Sequence, residues 1–283
     1  MDRDTFRGDK KEFSAGGNNA SVIIKGMVIG GTMMVPGASG GTMAMILGIY
    51  DQLIRAISSF MKHKLQSFMF LLLFCAGGSI GMFLLSRPVL YLLENYRMPT
   101  MYFFIGAIAG GMPLIVRESK GNLFSVKRFV HICIGVVLVL LVSQIPAGSF
   151  DSGNEADTRM VIFLAAAGFI SAVALVLPGI SVSYLLLVLG LYDETIMAVS
   201  QVYMPFLIPL GTGLMMGVIL TTKCLERAMD RYPLATYSVI MGFVAGSVVQ
   251  VFPGIPEGSE VLLCILTLIA GFCSIYMLSR REA

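Results

Sequence analysis

The chain carries one short motif twice, as Pro36-Gly37-Ala38-Ser39-Gly40-Gly41-Thr42 and as Pro178-Gly179-Ile180-Ser181-Val182-Ser183-Tyr184. Each copy is followed by a short apolar run, ending in Leu47-Gly48-Ile49-Tyr50-Asp51 and in Leu189-Gly190-Leu191-Tyr192-Asp193. Proline, glycine, serine, tyrosine and aspartate recur at one constant spacing. Proline and glycine interrupt helices, and both copies lie in apolar sequence. We therefore interpret them as paired breaks in membrane helices that mark the functional site.

The composition indicates a membrane protein. The 283 residues are 56% hydrophobic and 13% charged, and the mean hydropathy is +0.83, whereas charged residues make up about a quarter of a soluble domain. Six apolar segments are long enough to span a bilayer; they are 67–86, 100–116, 129–146, 203–222, 236–252 and 261–279. The sequence therefore predicts an all-α polytopic membrane protein. Residues 1–20 are polar and are predicted to be a cytoplasmic tail without a signal peptide.

Loop charges predict the topology. The cation-rich stretches are the N-terminus, 55–64, 117–128, 223–231 and the C-terminus, while 147–158, 192–204 and 253–260 are acidic or lack cations. Cytoplasmic loops carry the excess of lysine and arginine. All the strongly biased stretches agree with this rule only if the motif regions, 21–57 and 159–192, each enter and leave on one side as re-entrant hairpins. Residues 160–177 are long enough to span alone, which leaves the second hairpin ambiguous.

The repeat continues beyond the motif. Gly77, Gly81, Arg87, Glu94, Tyr96, Gly106 and Gly110 match Gly213, Gly217, Lys223, Asp230, Tyr232, Gly242 and Gly246, with a deletion in the loop after the motif. Each half is thus predicted to be one re-entrant hairpin followed by three transmembrane helices, and three crossings invert the second half. The predicted units are the tail 1–20, the first repeat 21–146, an extracytoplasmic linker 147–158 and the inverted repeat 159–283. Inverted repeats with broken helices are typical of secondary transporters, whose substrate site lies between the breaks. The paired glycines predict close helix packing.

The motif residues suit an anion. Glycines and a proline beside a helix start leave backbone N–H groups unpaired, and the hydroxyls add donors. The predicted substrate-binding residues are Pro36, Gly37, Ser39, Gly40, Gly41 and Thr42 in the first copy, and Pro178, Gly179, Ser181, Ser183 and Tyr184 in the second. The alternative is that these residues only shape the hairpin turn.

Charged residues near the motifs have two interpretations each. Asp51 and Asp193 cap the helices that follow, or they bind a proton or cation that drives transport. Arg87 and Lys223, equivalent across the repeat, contact a phosphate at the two entrances, or they extend to the membrane interface. We expect Arg55 to pair with Asp51 on one helix face rather than to be a second headgroup contact, and Tyr50 and Tyr192 to be interfacial anchors rather than ligands. No motif for a cofactor, a metal ion, nucleic acid or a catalytic nucleophile occurs in the sequence.

With these residues the chain resembles the PopT family of bacterial and archaeal membrane proteins. The resemblance rests on residues 35–43 with 47–51, and on residues 177–183 with 189–193. It implies a flippase that moves undecaprenyl phosphate, the lipid carrier of cell-envelope synthesis, from the outer to the cytoplasmic leaflet. It also implies a polyprenyl phosphate lipid as partner, the cytoplasmic membrane as location and no enzymatic activity.

Two other functions remain open. The Pro-Gly-x-Ser pattern also resembles the undecaprenyl-diphosphate phosphatases, but Gly40 and Val182 stand where that family has an arginine, and its ExxxE carboxylate pair does not occur in this sequence. Hydrolysis would lack a cation on the phosphoryl group and an acid–base pair. The second alternative is a secondary transporter of another anion.

Overall fold

The computed structural model describes residues 19–33, 39–119, 125–145, 158–258 and 260–281. This part of the chain forms α-helices: α1 Asn19–Thr32, α2 Gly40–Ile46, α3 Tyr50–Ser58, α4 Lys64–Asn95, α5 Arg97–Glu118, α6 Val126–Ser143, α7 Thr158–Val176, α8 Val182–Val188, α9 Tyr192–Ser200, α10 Met204–Arg231, α11 Pro233–Val251 and α12 Glu260–Arg281. Pro36, Gly37, most of the tail and most of the predicted linker lie outside the described residues.

Within the described residues, seven helices are long and apolar enough to cross a membrane, namely α4, α5, α6, α7, α10, α11 and α12. Six of them cover all or most of the six predicted segments, so the prediction of an all-α polytopic membrane protein is confirmed. The seventh, α7, has 19 residues and reaches about 28 Å; it is the segment that the sequence left ambiguous. Its counterpart α1 has 14 residues.

The order of short and long helices repeats along the chain. After each motif serine comes a helix of seven residues, α2 or α8, and then one of nine residues, α3 or α9, which begins at Tyr50 or Tyr192. The axes of α8 and α9 differ by 111°. We call α1–α3 the first hairpin and α7–α9 the second. The six-residue deletion lies only partly in the predicted loop: two residues are lost between α9 and α10 relative to α3 and α4, and α10 is four residues shorter than α4.

Glycines bring the long helices together in pairs. A Cβ atom at Gly77 or Gly81 would overlap the carbonyl oxygen of Ile23 or Met27, so α4 packs backbone to backbone against α1. The residue numbers of both partners rise together, so these helices are parallel. The chain between them must therefore turn and return to the end of the bundle where α1 begins. The predicted role of the paired glycines in close packing is confirmed.

Three further pairs have the same geometry. In α5 and α12, Gly106 packs against Leu268 and Gly110 against Phe272. The same parallel order holds for α7 with α10 and for α6 with α11. The pairs α5–α12 and α6–α11 each join a helix of the first half to one of the second, so the two halves interlock.

The core is centred on the first hairpin. Met43, Ala44, Met45 and Ile46 of α2 are at most 4% exposed and belong to one large apolar cluster, together with residues of α5 and α11. The second hairpin forms a smaller apolar cluster with α10. The first hairpin is therefore enclosed by the protein, whereas the second is more exposed.

Two glycines of α10 provide a matched test of the packing. Gly213→Ala places a methyl group against the Ala165 carbonyl and should destabilise the protein by about 1–3 kcal/mol, because the backbones must separate. Gly211 has open space around the same position, so Gly211→Ala should be neutral or stabilising. The fraction of monodisperse protein that survives heating in detergent measures both effects. Equal melting of the two variants would contradict close packing at Gly213.

Candidate functional site

The two motif copies meet inside the protein. The Gly179 N–H donates a hydrogen bond of 2.9 Å to Thr42 Oγ1, and Thr42 is 2% exposed. Beside this bond, a Cβ at Gly41 would lie 3.2 Å from Pro178 Cα. The backbones of the two copies are therefore in contact, as expected for paired breaks that face each other.

Gly179 is required at this contact for two reasons. Its φ of +87° lies in the region that favours glycine. In addition, a Cβ there would overlap the carbonyl oxygen of Phe243 on α11. The second motif therefore packs against α11 through its backbone while it donates to Thr42.

The motif serines precede their short helices in the same backbone conformation. Ser39 has φ −86° and ψ 134°, and Ser181 has φ −86° and ψ 123°. Ser181 Oγ accepts a long bond of 3.4 Å from the Tyr184 N–H. Ser39 makes no such capping bond and is 8% exposed. Its hydroxyl is thus a sheltered polar group, three residues before Thr42, that helix capping does not use.

The remaining motif residues have other positions. Tyr184 donates its hydroxyl to the carbonyl oxygens of Ser143 and Ile145 at the end of α6, at 2.8 and 2.7 Å. Ser183 is exposed on α8, and Gly40 packs against Met33. Of the predicted binding residues that the structure describes, Gly41, Thr42, Pro178 and Gly179 lie at the contact itself.

Tyr50 is not an interfacial anchor, so that expectation was wrong. It is 3% exposed, and its hydroxyl donates a 2.6 Å bond to the carbonyl oxygen of Val176, the last residue of α7. The burial follows from the position of the first hairpin in the core. Tyr50 is thus a second link between the first hairpin and the second motif, while Tyr192 is only half-buried.

Asp51 and Arg55 contact the second half of the chain. Asp51 Oδ2 accepts a 2.5 Å bond from the Tyr237 hydroxyl on α11. Arg55 forms ion pairs with Asp230 at 2.7 Å and Glu226 at 3.8 Å, both on α10. The expected pairing of Arg55 with Asp51 was wrong, because α3 packs against α10 and brings two carboxylates within reach. Asp193, the counterpart of Asp51, is exposed on α9.

The predicted entrance cations lie apart from this contact. Arg87 is exposed on α4, and Lys223 is half-buried on α10. Neither side chain has a hydrogen bond or an ion pair with another residue in the described ranges. The structure does not join them to the motifs.

Sequence reasoning missed Lys25. This lysine is 8% exposed on α1, on the helix face that also carries Val22 and Ile29, and those two belong to the apolar cluster around α2. A charged residue buried at membrane depth is costly and is usually functional. The available signal was a single lysine within the apolar stretch 21–35. Among the described residues, no group of His, Cys, Asp and Glu side chains could hold a metal ion.

Comparison with known proteins identifies the family. The model of the undecaprenyl phosphate translocase-like family matches residues 29–262. The chain belongs to this family. It is 34% identical over 272 residues to the Polyprenyl-phosphate transporter of Staphylococcus aureus, covering 92% of this chain and 96% of that protein. It is 25% identical over 250 residues to the Polyprenyl-phosphate transporter of Vibrio cholerae, covering 83% and 78%. No solved structure matches the chain significantly. The family resemblance seen in the doubled motif is confirmed.

The contact between the motifs can be tested at Thr42. Thr42→Val keeps the shape but removes the acceptor, leaving the buried Gly179 N–H without its partner, at a cost of about 1–3 kcal/mol. Thr42→Ser should keep most of the stability. Thr195→Val is the control, because the Thr195 hydroxyl donates to the Leu191 carbonyl within its own hairpin and to no other residue that the structure describes. Thermal unfolding in detergent measures the difference, and a Thr42→Val protein as stable as the control would refute the proposed importance of this bond.

Proposed function

We propose that this protein is a flippase that moves undecaprenyl phosphate from the outer to the cytoplasmic leaflet, returning the carrier lipid to cell-envelope synthesis. The observation that carries the proposal is the buried contact between Thr42 and Gly179, where two interrupted helices meet inside a bundle of apolar helices. Family membership and the names of the two relatives support the substrate.

The physical problem is the headgroup. A phosphate is strongly hydrated and cannot enter hydrocarbon at a useful rate, whereas the polyprenyl tail can stay in the lipid. The protein needs to supply polar groups only along the path of the headgroup. The hydroxyls of Ser39 and Ser181, with the backbone N–H groups of Gly40 and Gly41, are donors next to the motif contact. Because α2 and α8 have seven residues each, we assign the binding to these groups rather than to helix dipoles.

Buried Lys25 is the cation best placed to balance the headgroup charge. It lies on the face of α1 that contributes to the cluster around α2, the helix that follows Ser39. Arg87 and Lys223 stay proposed contacts nearer the two entrances.

We further propose that each hairpin is re-entrant and that the two repeats are inverted. The parallel packing of α6 and α11 supports this arrangement. If successive spans alternate in direction, α10 runs opposite to α11 and therefore also opposite to α6. The chain then leaves α6 and enters α10 on the same side of the membrane, so α7–α9 must begin and end on that side. One broken crossing would instead make α6 and α11 antiparallel. The first hairpin enters where α4 begins and the second enters where α6 ends, on opposite faces. The loop charges then place both termini in the cytoplasm.

An enzymatic function is not supported. The family and both relatives are named as a translocase and transporters, and Gly40 and Val182 occupy the positions where the phosphatases have an arginine. Coupling of transport to a proton or cation at Asp51 or Asp193 stays a prediction. Asp51 is the more sheltered of the two and already accepts a bond from Tyr237.

The motif serines test the function directly. Ser39→Ala combined with Ser181→Ala should slow the transfer of undecaprenyl phosphate between leaflets of reconstituted vesicles by at least about tenfold. The reason is that each lost hydrogen bond from a serine hydroxyl to the charged phosphate costs roughly 1.5–3 kcal/mol. The control is Ser200→Ala, because the Ser200 hydroxyl bonds to Met197 in its own helix and to nothing else in the described part of the chain; this variant should transport normally. An unchanged rate in the double variant would exclude the serines from the path. Release of inorganic phosphate by the wild type would favour the phosphatase.

Lys25 gives an independent test. Lys25→Met keeps the length of the side chain but removes its charge, so we expect a loss of transport of about tenfold or more, while Lys25→Arg should retain part of it. Lys62→Met, at an exposed loop position, is the control for total charge. Transport by Lys25→Met at the rate of Lys62→Met would exclude Lys25 as a headgroup contact.

A further inference from the structure

The two hairpins have matching helices but are packed differently. In the first, α2 packs against α5 and α3 packs against α10. In the part of the chain that the structure describes, the equivalent pairs, α8 with α11 and α9 with α4, show no comparable packing. Equivalent side chains agree, since Ile54 of α3 is 3% exposed whereas its counterpart Ile196 of α9 is 52% exposed, and Tyr50 is buried whereas its counterpart Tyr192 is only half-buried. One hairpin is docked and the other is undocked.

Polar contacts hold the docked hairpin. We call Asp51, Arg55, Glu226, Asp230 and Tyr237 the polar gate. Tyr237 donates to Asp51, and Arg55 pairs with Asp230 and Glu226. These contacts join α3 to the end of α10 and the start of α11, so they close the bundle at the end where α10 finishes.

The second hairpin lacks the residues to form the same gate. By the repeat, Arg55 corresponds to Met197, Glu226 to Leu90 and Tyr237 to Met101. Methionine can neither pair with a carboxylate nor donate a hydrogen bond to one. Only Asp193 and Glu94 keep their polar character. The second repeat therefore lacks the hydrogen-bond donors and the cation that the polar gate uses.

We propose that the polar gate locks the protein at one face, and that transport requires the gate to open while the second hairpin docks in the corresponding place. This inference rests on the proposed function and its topology, in which the gate lies at the cytoplasmic face. The headgroup then enters from the outer leaflet beside the undocked second hairpin and reaches the motif contact. It leaves towards the cytoplasm when α3 separates from α10 and α11.

The strength of the gate suits an element that must open. The Arg55 side chain is 23% exposed and that of Asp230 is 55% exposed, so water screens this pair and competes for it. The apolar face of α3, with Ile54 and Ala56 buried, provides the rest of the closure. Removing the charges should therefore shift the balance towards the open gate without unfolding the hairpin.

Thiol labelling measures opening of the gate without reference to any substrate. Ile49 is fully buried at the start of α3, and Ile49→Cys would be the probe in a full-length chain whose five native cysteines are replaced. We expect Arg55→Met to increase labelling by a membrane-impermeant maleimide several-fold, from the gate face only, and Tyr237→Phe to increase it less. Arg227→Met, at an exposed position on α10, should leave it unchanged.

A charge exchange distinguishes loss of the ion pair from a general disruption of the structure. Arg55→Asp combined with Asp230→Arg restores an ion pair of opposite direction, so labelling should fall back towards that of the parent chain. Unchanged labelling in both Arg55→Met and Tyr237→Phe, or an increase from the opposite face, would overturn the proposal. The proposal would also be overturned if the protein with exchanged charges were labelled by the maleimide as fast as the Arg55→Met protein.

A reversible cross-link connects the gate to transport. Arg55→Cys and Asp230→Cys, joined by a bifunctional maleimide with a cleavable disulfide, should stop the transfer of undecaprenyl phosphate between vesicle leaflets, and a reductant should restore it. Full transport by the cross-linked protein would overturn the proposal that the gate must open. Absence of transport in the uncross-linked parent would instead count against the proposed substrate. The thiol-labelling result would still show whether the polar gate opens.

Discussion

Interrupted helices at membrane depth must find hydrogen-bond partners within the protein, because hydrocarbon offers none. Here the Gly179 N–H of one break is accepted by the Thr42 hydroxyl of the other. Tyr50 adds a bond to the last carbonyl of α7, and Tyr184 bonds to carbonyls at the end of α6. The two breaks therefore supply part of each other's hydrogen bonding. The same need for polar partners that joins them also concentrates hydroxyls and N–H groups at the contact, which is where the proposed function places the phosphate headgroup.

A frame of parallel helix pairs surrounds this contact. Lipid tails give little reason for apolar helices to associate, so close backbone contact at glycines supplies the attraction. Two of the pairs, α5–α12 and α6–α11, cross between the halves and make one body of them. The short helices α2, α3, α8 and α9 are attached to this frame by far fewer contacts. This division into a close-packed frame and two small hairpins supports the proposal that the hairpins move while the frame stays fixed.

The local sequence predicted much of this architecture. Each of the six long apolar segments lies wholly or mostly in a long helix, and both motif serines precede seven-residue helices. Partners across the fold were harder to predict. Arg55 pairs with α10 and not with Asp51 on its own helix, and Tyr50 is buried although a tyrosine beside an apolar run is typical of an interface. In the sequence, Lys25 is a single charged residue within an apolar stretch, and nothing there indicates that its side chain faces the core.

The sequence by itself determined that this is a helical membrane protein, that one motif occurs twice and that the chain resembles a family of lipid-phosphate transporters. Composition and spacing carry these conclusions because they depend on neighbouring residues. Only the tertiary structure decided that Thr42 meets Gly179, that Lys25 faces the core and that one hairpin is docked while the other is not. Those features depend on which faces of distant helices come together, and helices that are apolar all round do not encode that choice in their periodicity.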